Sequence, residues 1–377
     1  MKPMHIAFVT ETFPPEVNGV AMTVGHLVGG LRDRGHRISV VRPRQHKKDI
    51  GNEYELAVPG LPLPGYGDLR FGLPAGRRLC RYWRSVRPDL VHVVTEGPLG
   101  WSAVRIAHQL GIPVTSGFHT NFDRYSIHYG LGWMRPAVAA WLRALHRRTK
   151  ATLVPTHALA ADLAGEGIPG VRVVGRGVDT ALFDPIRRSD RLRAAWGVPK
   201  NGLACLYVGR LAPEKNLALV RRAFEAIQCI RSDVRMVWVG DGPVRSSLGA
   251  AYPEDHFSGT RTGFELATHF ASADLFLFPS LTETYGNVVA EAMASGLPVL
   301  AYRSAGAAEL IVSGVNGVTV APGDEEAYLA AATKLVNNPE NLSQMGLAAR
   351  SQILPRSWSK VIECFEQVVL EACRPAH

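Results

Sequence analysis

The chain has 377 residues, 46% of them hydrophobic and 20% charged, with a formal net charge of +9, a balance that suits two ordinary globular cores and excludes a disordered or fibrous chain. No apolar run reaches the roughly 18 residues of a membrane span, and the first apolar stretch, residues 5–10, is strand length without the basic flank and cleavage pattern of a secretory signal. The charge is uneven: residues 1–190 carry 25 Lys+Arg against 15 Asp+Glu, and residues 191–377 carry 17 against 18.

The apolar runs are short and β-branched and alternate with longer segments of helical period, the pattern of parallel α/β units. In chain order, strands are expected at residues 6–10, 38–41, 90–94, 114–116, 153–155, 203–208, 236–239, 275–278 and 298–301. The first series ends near 185–199, a charged stretch with a proline at each end, and a second series restarts at Leu203. The expected division is therefore 1–185 for an N-terminal Rossmann-like domain, 186–357 for a C-terminal one, and 358–377 for an amphipathic helix, for which packing back on the N-terminal domain is an option that periodicity does not decide. Doubly wound sheets bind ligands outside the carboxyl ends of their strands, so residues just after a strand carry the functional expectation.

In the basic half, Arg77-Arg78-Leu79-Cys80-Arg81-Tyr82-Trp83-Arg84 and Arg143-Ala144-Leu145-His146-Arg147-Arg148 mix cations with aromatic and aliphatic residues. Interfacial helices have this composition, and so do solvated basic faces. The membrane reading places Arg77, Arg78, Arg81 and Arg84 against an anionic leaflet, with Leu79, Tyr82 and Trp83 as the apolar part. Nucleic acid is not indicated, because no recognised binding module accompanies the charge. Five cysteines without CxxC or ligand spacing read as packing residues in a reducing, cytoplasmic compartment.

There is no GxxxxGK[ST], no GxGxxG after a strand, no HExxH and no GxSxG. No Asp is followed two places later by another Asp, so the carboxylate pair by which many sugar-nucleotide enzymes hold a divalent metal is missing. Neither metal nor cofactor is expected, and a diphosphate would be met by protein cations and dipoles. Leu206-Tyr207-Val208-Gly209-Arg210-Leu211-Ala212-Pro213-Glu214-Lys215-Asn216 runs from a strand into a helix and offers a glycine turn, two cations and a helix N-terminus. Phe278-Pro279-Ser280-Leu281-Thr282-Glu283-Thr284-Tyr285-Gly286-Asn287-Val288 also follows a strand and opens a helix that carries Glu291. Were both glutamates helical they would stand ~12 Å apart, too far for the carboxylate pair of a retaining glycosidase. The better assignment has Glu291 accepting from a ribose, Glu283 from a donor sugar, and the backbone amides of 284–288 meeting phosphate.

Glu283-x7-Glu291 followed by Ala292-Met293-Ala294-Ser295-Gly296-Leu297-Pro298-Val299, with Gly209-Arg210-Leu211-x3-Lys215-Asn216 before it, resembles family four of the retaining GT-B glycosyltransferases. The resemblance covers nearly the whole chain. Thr10-Glu11-Thr12-Phe13-Pro14-Pro15-x2-Asn18-Gly19-Val20 is similar to that family's first loop, Phe118-His119-Thr120-Asn121-Phe122-x2-Tyr125 to the loop with its catalytic-centre histidine, and Gly175-Arg176-Gly177-Val178-Asp179 to the segment before the interdomain connection.

The resemblance implies two doubly wound domains facing across a cleft and a metal-independent hexosyltransferase. It also implies roles: His119 on the donor sugar, Arg210 and Lys215 on the diphosphate, Glu291 on ribose and Glu283 on sugar hydroxyls. Gly19, Gly242, Thr260, Tyr285, Gly286, Asn287 and Val288 complete the nucleotide-sugar site so implied. His119-Thr120-Asn121-Phe122 and Tyr129-Gly130-Leu131-Gly132-Trp133 are similar to bacterial GDP-mannose-dependent α-mannosyltransferases that act on lipid acceptors. Sulfoquinovosyl-diacylglycerol synthases share much of the pattern and use a UDP-sugar, and a non-catalytic sugar-nucleotide sensor could keep Arg210, Lys215 and Glu291 without a use for His119. The expected partners are a nucleotide-sugar donor, a lipid or glycan acceptor, and an anionic membrane met peripherally.

Overall fold

The β-branched runs form strands and the segments of helical period form helices. A computed structural model describes residues 3–16, 18–46, 49–63, 66–119 and 135–374, and places them in two units, Met1–Arg176 with Trp358–His377, and Gly177–Ser357.

The first unit is built on β1 (His5–Val9), β2 (Arg37–Pro43) and β3 (Glu55–Val58), then β6 (Leu90–Val93), β7 (Val114–Gly117), β8 (Ala151–Val154) and β9 (Val171–Val173). A small antiparallel ribbon of β4 (Gly60–Leu63) and β5 (Tyr66–Gly72) stands apart from this sheet. The seven strands lie in the order β3-β2-β1-β6-β7-β8-β9, all parallel. The helices are α1 (Gly19–Asp33), α2 (Gly76–Ser85), α3 (Pro98–Gln109), α4 (Arg135–His146) and α5 (His157–Gly165).

The C-terminal helix of the chain, Trp358–Cys373, completes this unit by packing on α1. Its Ile362, Phe365, Val368 and Val369 enter the core beside Phe8, Val24 and Leu27, each contributing roughly 1.5–3 kcal/mol of apolar burial. Gly30 permits the approach, since a Cβ there would stand 2.1 Å from Ile362 Cδ1. Glu366 locks the register by bonding His36 Nε2 at 2.8 Å and Arg34 at 2.6 Å.

The second unit holds β10 (Leu203–Val208), β11 (Val234–Val239), β12 (His256–Gly259), β13 (Leu275–Phe278), β14 (Val299–Tyr302) and β15 (Gly317–Val320). Their order is β12-β11-β10-β13-β14-β15, again all parallel. Residues 185–199 contribute a 3-10 turn and a short helix, α6 (Asp190–Ala195). The buried Arg193 of α6 ties the segment to this unit through Asp274 at 2.7 Å and the carbonyls of Ser272 and Gly202, both at 2.7 Å. The helices that follow are α7 (Leu217–Gln228), α8 (Arg245–Ala251), α9 (Gly263–Ser272), α10 (Asn287–Ala294), α11 (Ala305–Leu310), α12 (Glu325–Val336) and α13 (Pro339–Ile353). The core is dominated by Tyr207, Trp238, Phe276 and Phe278 on adjacent strands.

Besides the β4–β5 ribbon, the strands not expected from the sequence are β3, β9, β12 and β15, and they are the four edges of the two parallel sheets. An edge strand is paired on one side only and half covered, so it lacks the continuous apolar run of a central parallel strand.

Candidate active site

In each sheet the strand order reverses beside the first strand, because the chain winds outward on one side and then returns to the other. In the second unit that reversal lies between β10 and β13, the point where doubly wound sheets bind ligands. The loop after β10 carries Arg210 and Lys215, and the loop after β13 carries Glu283. Lys215 Nζ meets Glu283 Oε1 at 2.5 Å, with side chains 12% and 18% exposed. Ser280 Oγ donates to the same oxygen at 2.8 Å. Burial pushes the Glu283 carboxyl up, but the ammonium and these bonds outweigh it and hold the group below its ordinary value. Glu214, almost wholly buried, faces Arg210 at 3.8 Å, and Thr282 Oγ1 donates to the Glu214 carbonyl at 3.3 Å, stitching the two loops together.

The backbone around these side chains is drawn tight. Gly240, with φ +137°, lies so close to the neighbouring strand end that a Cβ there would stand 1.9 Å from the Gly209 carbonyl oxygen. Gly242 follows in the loop after β11, and Thr260 is exposed just beyond β12. Gly286, at φ +84°, turns the chain into α10, so Asn287 and Val288 form its first turn, the helix end whose dipole attracts anions. Tyr285 is buried beneath that turn, its carbonyl accepting from Gly306 N–H at 2.9 Å. Glu291 lies one turn further along α10, and burial alone pushes its carboxyl up to about 7. Glu283 is not helical, so no common helix sets its distance from Glu291.

In the first unit the reversal lies between β1 and β6. Asn18 caps α1 beyond β1, its side-chain oxygen accepting from Val20 N–H at 3.1 Å and Ala21 N–H at 2.8 Å, and Gly19 is exposed at the first turn of that helix. His119 follows β7 and is 9% exposed. Its Nδ1 accepts from Arg176 Nη2 at 2.6 Å, a bond between residues 57 apart in the chain. Burial, with Arg176 next, holds the imidazole well below its ordinary value. Thr120, Asn121, Phe122, Tyr125 and the stretch 129–133 lie outside the described residues.

Sequence reasoning quoted Arg176 and Glu11 within motifs but gave neither a role, and it did not name Glu96, a second carboxylate at this edge. Glu11, just after β1, is pushed up to about 7, by burial first and by nearby Glu96 as well, while Gly72 N–H opposes. Glu96, after β6, is 2% exposed, and His146 Nε2 lies 3.5 Å from its Oε1. Strand-end position was the available signal for both.

Two expectations are corrected. Leu79 and Trp83 do not form an apolar face for a membrane: both are fully buried in the core beneath α2, because that helix covers its own sheet with them. Tyr82 is half-buried against the same core, and within residues 77–84 the exposed side chains are Arg77, Arg78, Arg81 and Arg84. The cysteines are not uniformly packing residues, since Cys205 is buried while Cys229 is exposed at the end of α7. Among the described residues no helix is long and apolar enough to cross a membrane.

Residues 17–182 match the family described as Glycosyltransferase Family 4, and residues 202–338 match Glycosyl transferases group 1. A GDP-mannose-dependent alpha-mannosyltransferase of Mycolicibacterium smegmatis is 35% identical over 367 residues, 96% of this chain and 95% of the relative. A protein of the same description from Corynebacterium glutamicum is 33% identical, covering 95% of this chain and 86% of the relative. A sulfoquinovosyl transferase of Arabidopsis thaliana is 30% identical over 95% of this chain and 71% of its own length. Among solved structures, a sucrose-phosphate synthase from Thermosynechococcus elongatus matches with a TM-score of 0.80 over 98% of each chain at 18% identity, a likeness of fold.

Proposed function

The chain belongs to glycosyltransferase family 4, and from that premise we propose that it transfers mannose from GDP-mannose to a hydroxyl of a lipid or glycan acceptor, with retention and without a metal. It is a hexosyltransferase of the GT-B fold. The observation that carries the reading is the Lys215–Glu283 pair. It brings a cation suited to phosphate and a carboxylate suited to hydroxyls together at the strand-order reversal, beside the N-terminus of α10. In this reading Arg210, Lys215 and the amides of 284–288 receive the diphosphate, Glu291 the ribose, and Glu283 and His119 the sugar. Gly242 and Thr260 border the nucleotide, and Gly19 lets backbone approach the diphosphate.

The departing diphosphate accepts the proton of the acceptor hydroxyl as the new bond forms on the same face. Arg210, Lys215 and the helix N-terminus act on the negative charge that develops on the leaving group, an electrostatic effect that is strongest where water is excluded. The mannose assignment is supported by the relatives at 33–35% identity. The sulfoquinovosyl transferase at 30% keeps a UDP-sugar donor as the second reading. Peripheral contact with an anionic membrane is part of the proposal, carried by the exposed arginines of α2 and therefore electrostatic.

Thermal unfolding with GDP, UDP or ADP tests the donor, since a ligand that binds only the folded chain raises its melting temperature. GDP is expected to give the largest rise, and labelled GDP-mannose with a lipid extract is expected to yield labelled product. A rise with UDP and none with GDP would overturn the mannose assignment. Binding without turnover of any donor would favour a sensor.

A further inference from the structure

A guanidinium has only donors and keeps its proton. When Arg176 Nη2 stands 2.6 Å from His119 Nδ1, with the two residues 8% and 9% exposed, that nitrogen must present its lone pair. The single proton of the neutral ring is then on Nε2. The ring folds back over β7, so that a Cβ on Gly117 would stand 2.3 Å from Nε2, and among the described residues Nε2 has no hydrogen-bond partner. Among the described residues, the other titratable groups facing His119 are His92 on β6, whose Nδ1 bonds Thr115 Oγ1 at 3.0 Å, and His146 at the end of α4, beside Glu96. Both histidines, like Arg176, disfavour a positive charge on the ring.

We propose that Arg176 is a positioning residue that fixes His119 as a neutral ring with its proton on Nε2, making His119 a hydrogen-bond donor to an oxygen of the transferred sugar and never a general base. The inference rests on the His119–sugar contact proposed above. A carboxylate partner at Nδ1 would do the reverse, accepting a hydrogen bond from a protonated Nδ1 and leaving Nε2 basic, the usual arrangement around catalytic and metal-bound histidines. The choice of cation over carboxylate suits a glycosyl transfer. The sugar becomes oxocarbenium-like in the transition state, and a neutral donor orients an oxygen without setting an imidazolium beside that charge.

Nitrogen NMR of the histidine-labelled full chain tests the tautomer without any variant: His119 should show a protonated Nε2 and a bare Nδ1 across the neutral pH range. Arg176→Met removes both the donor and the charge. It should let both tautomers populate, bring the ring's titration up toward the ordinary 6.5, lower kcat about 10- to 100-fold as loss of an orienting partner does, and leave KM for GDP-mannose little changed. Its kcat should also fall as the pH drops through the new titration, where the wild type stays level, and Arg176→Lys should recover part of the loss. A wild-type spectrum with the proton on Nδ1 overturns the proposal even if a variant fails to fold. So does a folded Arg176→Met whose spectrum and pH profile overlay the wild type. Full turnover in His119→Ala beside an Nε2-protonated wild-type spectrum would instead refute the sugar contact and leave the tautomer standing.

Discussion

Replacing Lys215 by alanine separates what the second-unit site does for stability from what it does for the donor. In the wild type the ammonium meets Glu283 at 2.5 Å, with side chains 12% and 18% exposed. Breaking a buried pair costs about 3–5 kcal/mol, and a charge-assisted bond contributes about 1.5–3. Partial exposure lets water soften the loss, so about 2 kcal/mol is expected. At about 2–4 °C per kcal/mol for a domain of this size, melting should fall by about 4–8 °C. The sign of the pH dependence follows from Glu283. Its wild-type carboxyl is held below the ordinary 4.5 despite burial, so the pair stabilises above the unfolded value and is lost as pH falls through the folded one. In Lys215→Ala burial is opposed only by Ser280 and the carboxyl rises, so the deficit should be large at neutral pH and shrink on acidification. Lys215→Ala with Glu283→Gln should regain most of the stability. Donor affinity should behave differently: with the cation gone from the diphosphate, GDP binding should weaken about 10- to 100-fold in both variants. Calorimetric unfolding at several pH values, with GDP titration of each variant, reads both effects. Unchanged GDP affinity in Lys215→Ala would refute the phosphate role, and unchanged melting would refute the energetic weight given to the pair.

Gly240→Ala should destabilise the second unit by about 2–4 kcal/mol in denaturant titration, because its Cβ would meet the Gly209 carbonyl at 1.9 Å on a backbone with positive φ. Glu291, raised by burial to about 7 from an ordinary 4.5, lowers stability as pH rises between those values; Glu291→Gln should flatten that slope in pH-dependent unfolding. EDTA should leave turnover intact, and restoration by Mn²⁺ or Mg²⁺ after its addition would refute the metal-free reading. Serine at Arg77, Arg78, Arg81 and Arg84 should release the chain from anionic vesicles in co-sedimentation, as should high salt, since each exposed cation contributes about 1 kcal/mol and is screened over ~10 Å at 0.1 M salt. With Leu79 and Trp83 in the core, binding that survives high salt would refute this face as the docking surface.

The sequence by itself determined the central strands and the loops that leave them. A parallel strand paired on both sides is covered on both faces and reads as an unbroken apolar run, so residues 203–208 and 275–278 coincide with β10 and β13. The glycine turns and helix starts after those strands, with Arg210, Lys215, Glu283 and Glu291 on them, were legible for the same reason: local backbone chemistry punctuates the chain. The four edge strands were not legible, because half-covered segments carry no such run. Nor were the side-chain partnerships. Lys215 and Glu283 are 68 residues apart, and His119 and Arg176 are 57 apart. Only the strand order makes the first pair neighbours, by setting β13 beside β10. The second pair likewise depends on β8 and β9 following β7 across the sheet, which brings the end of the first series back to the histidine. The sequence named Lys215, Glu283 and His119 as candidates and left Arg176 without a role, and the topology decided which groups face each other, because the pairing of parallel strands is a long-range choice that no local pattern encodes.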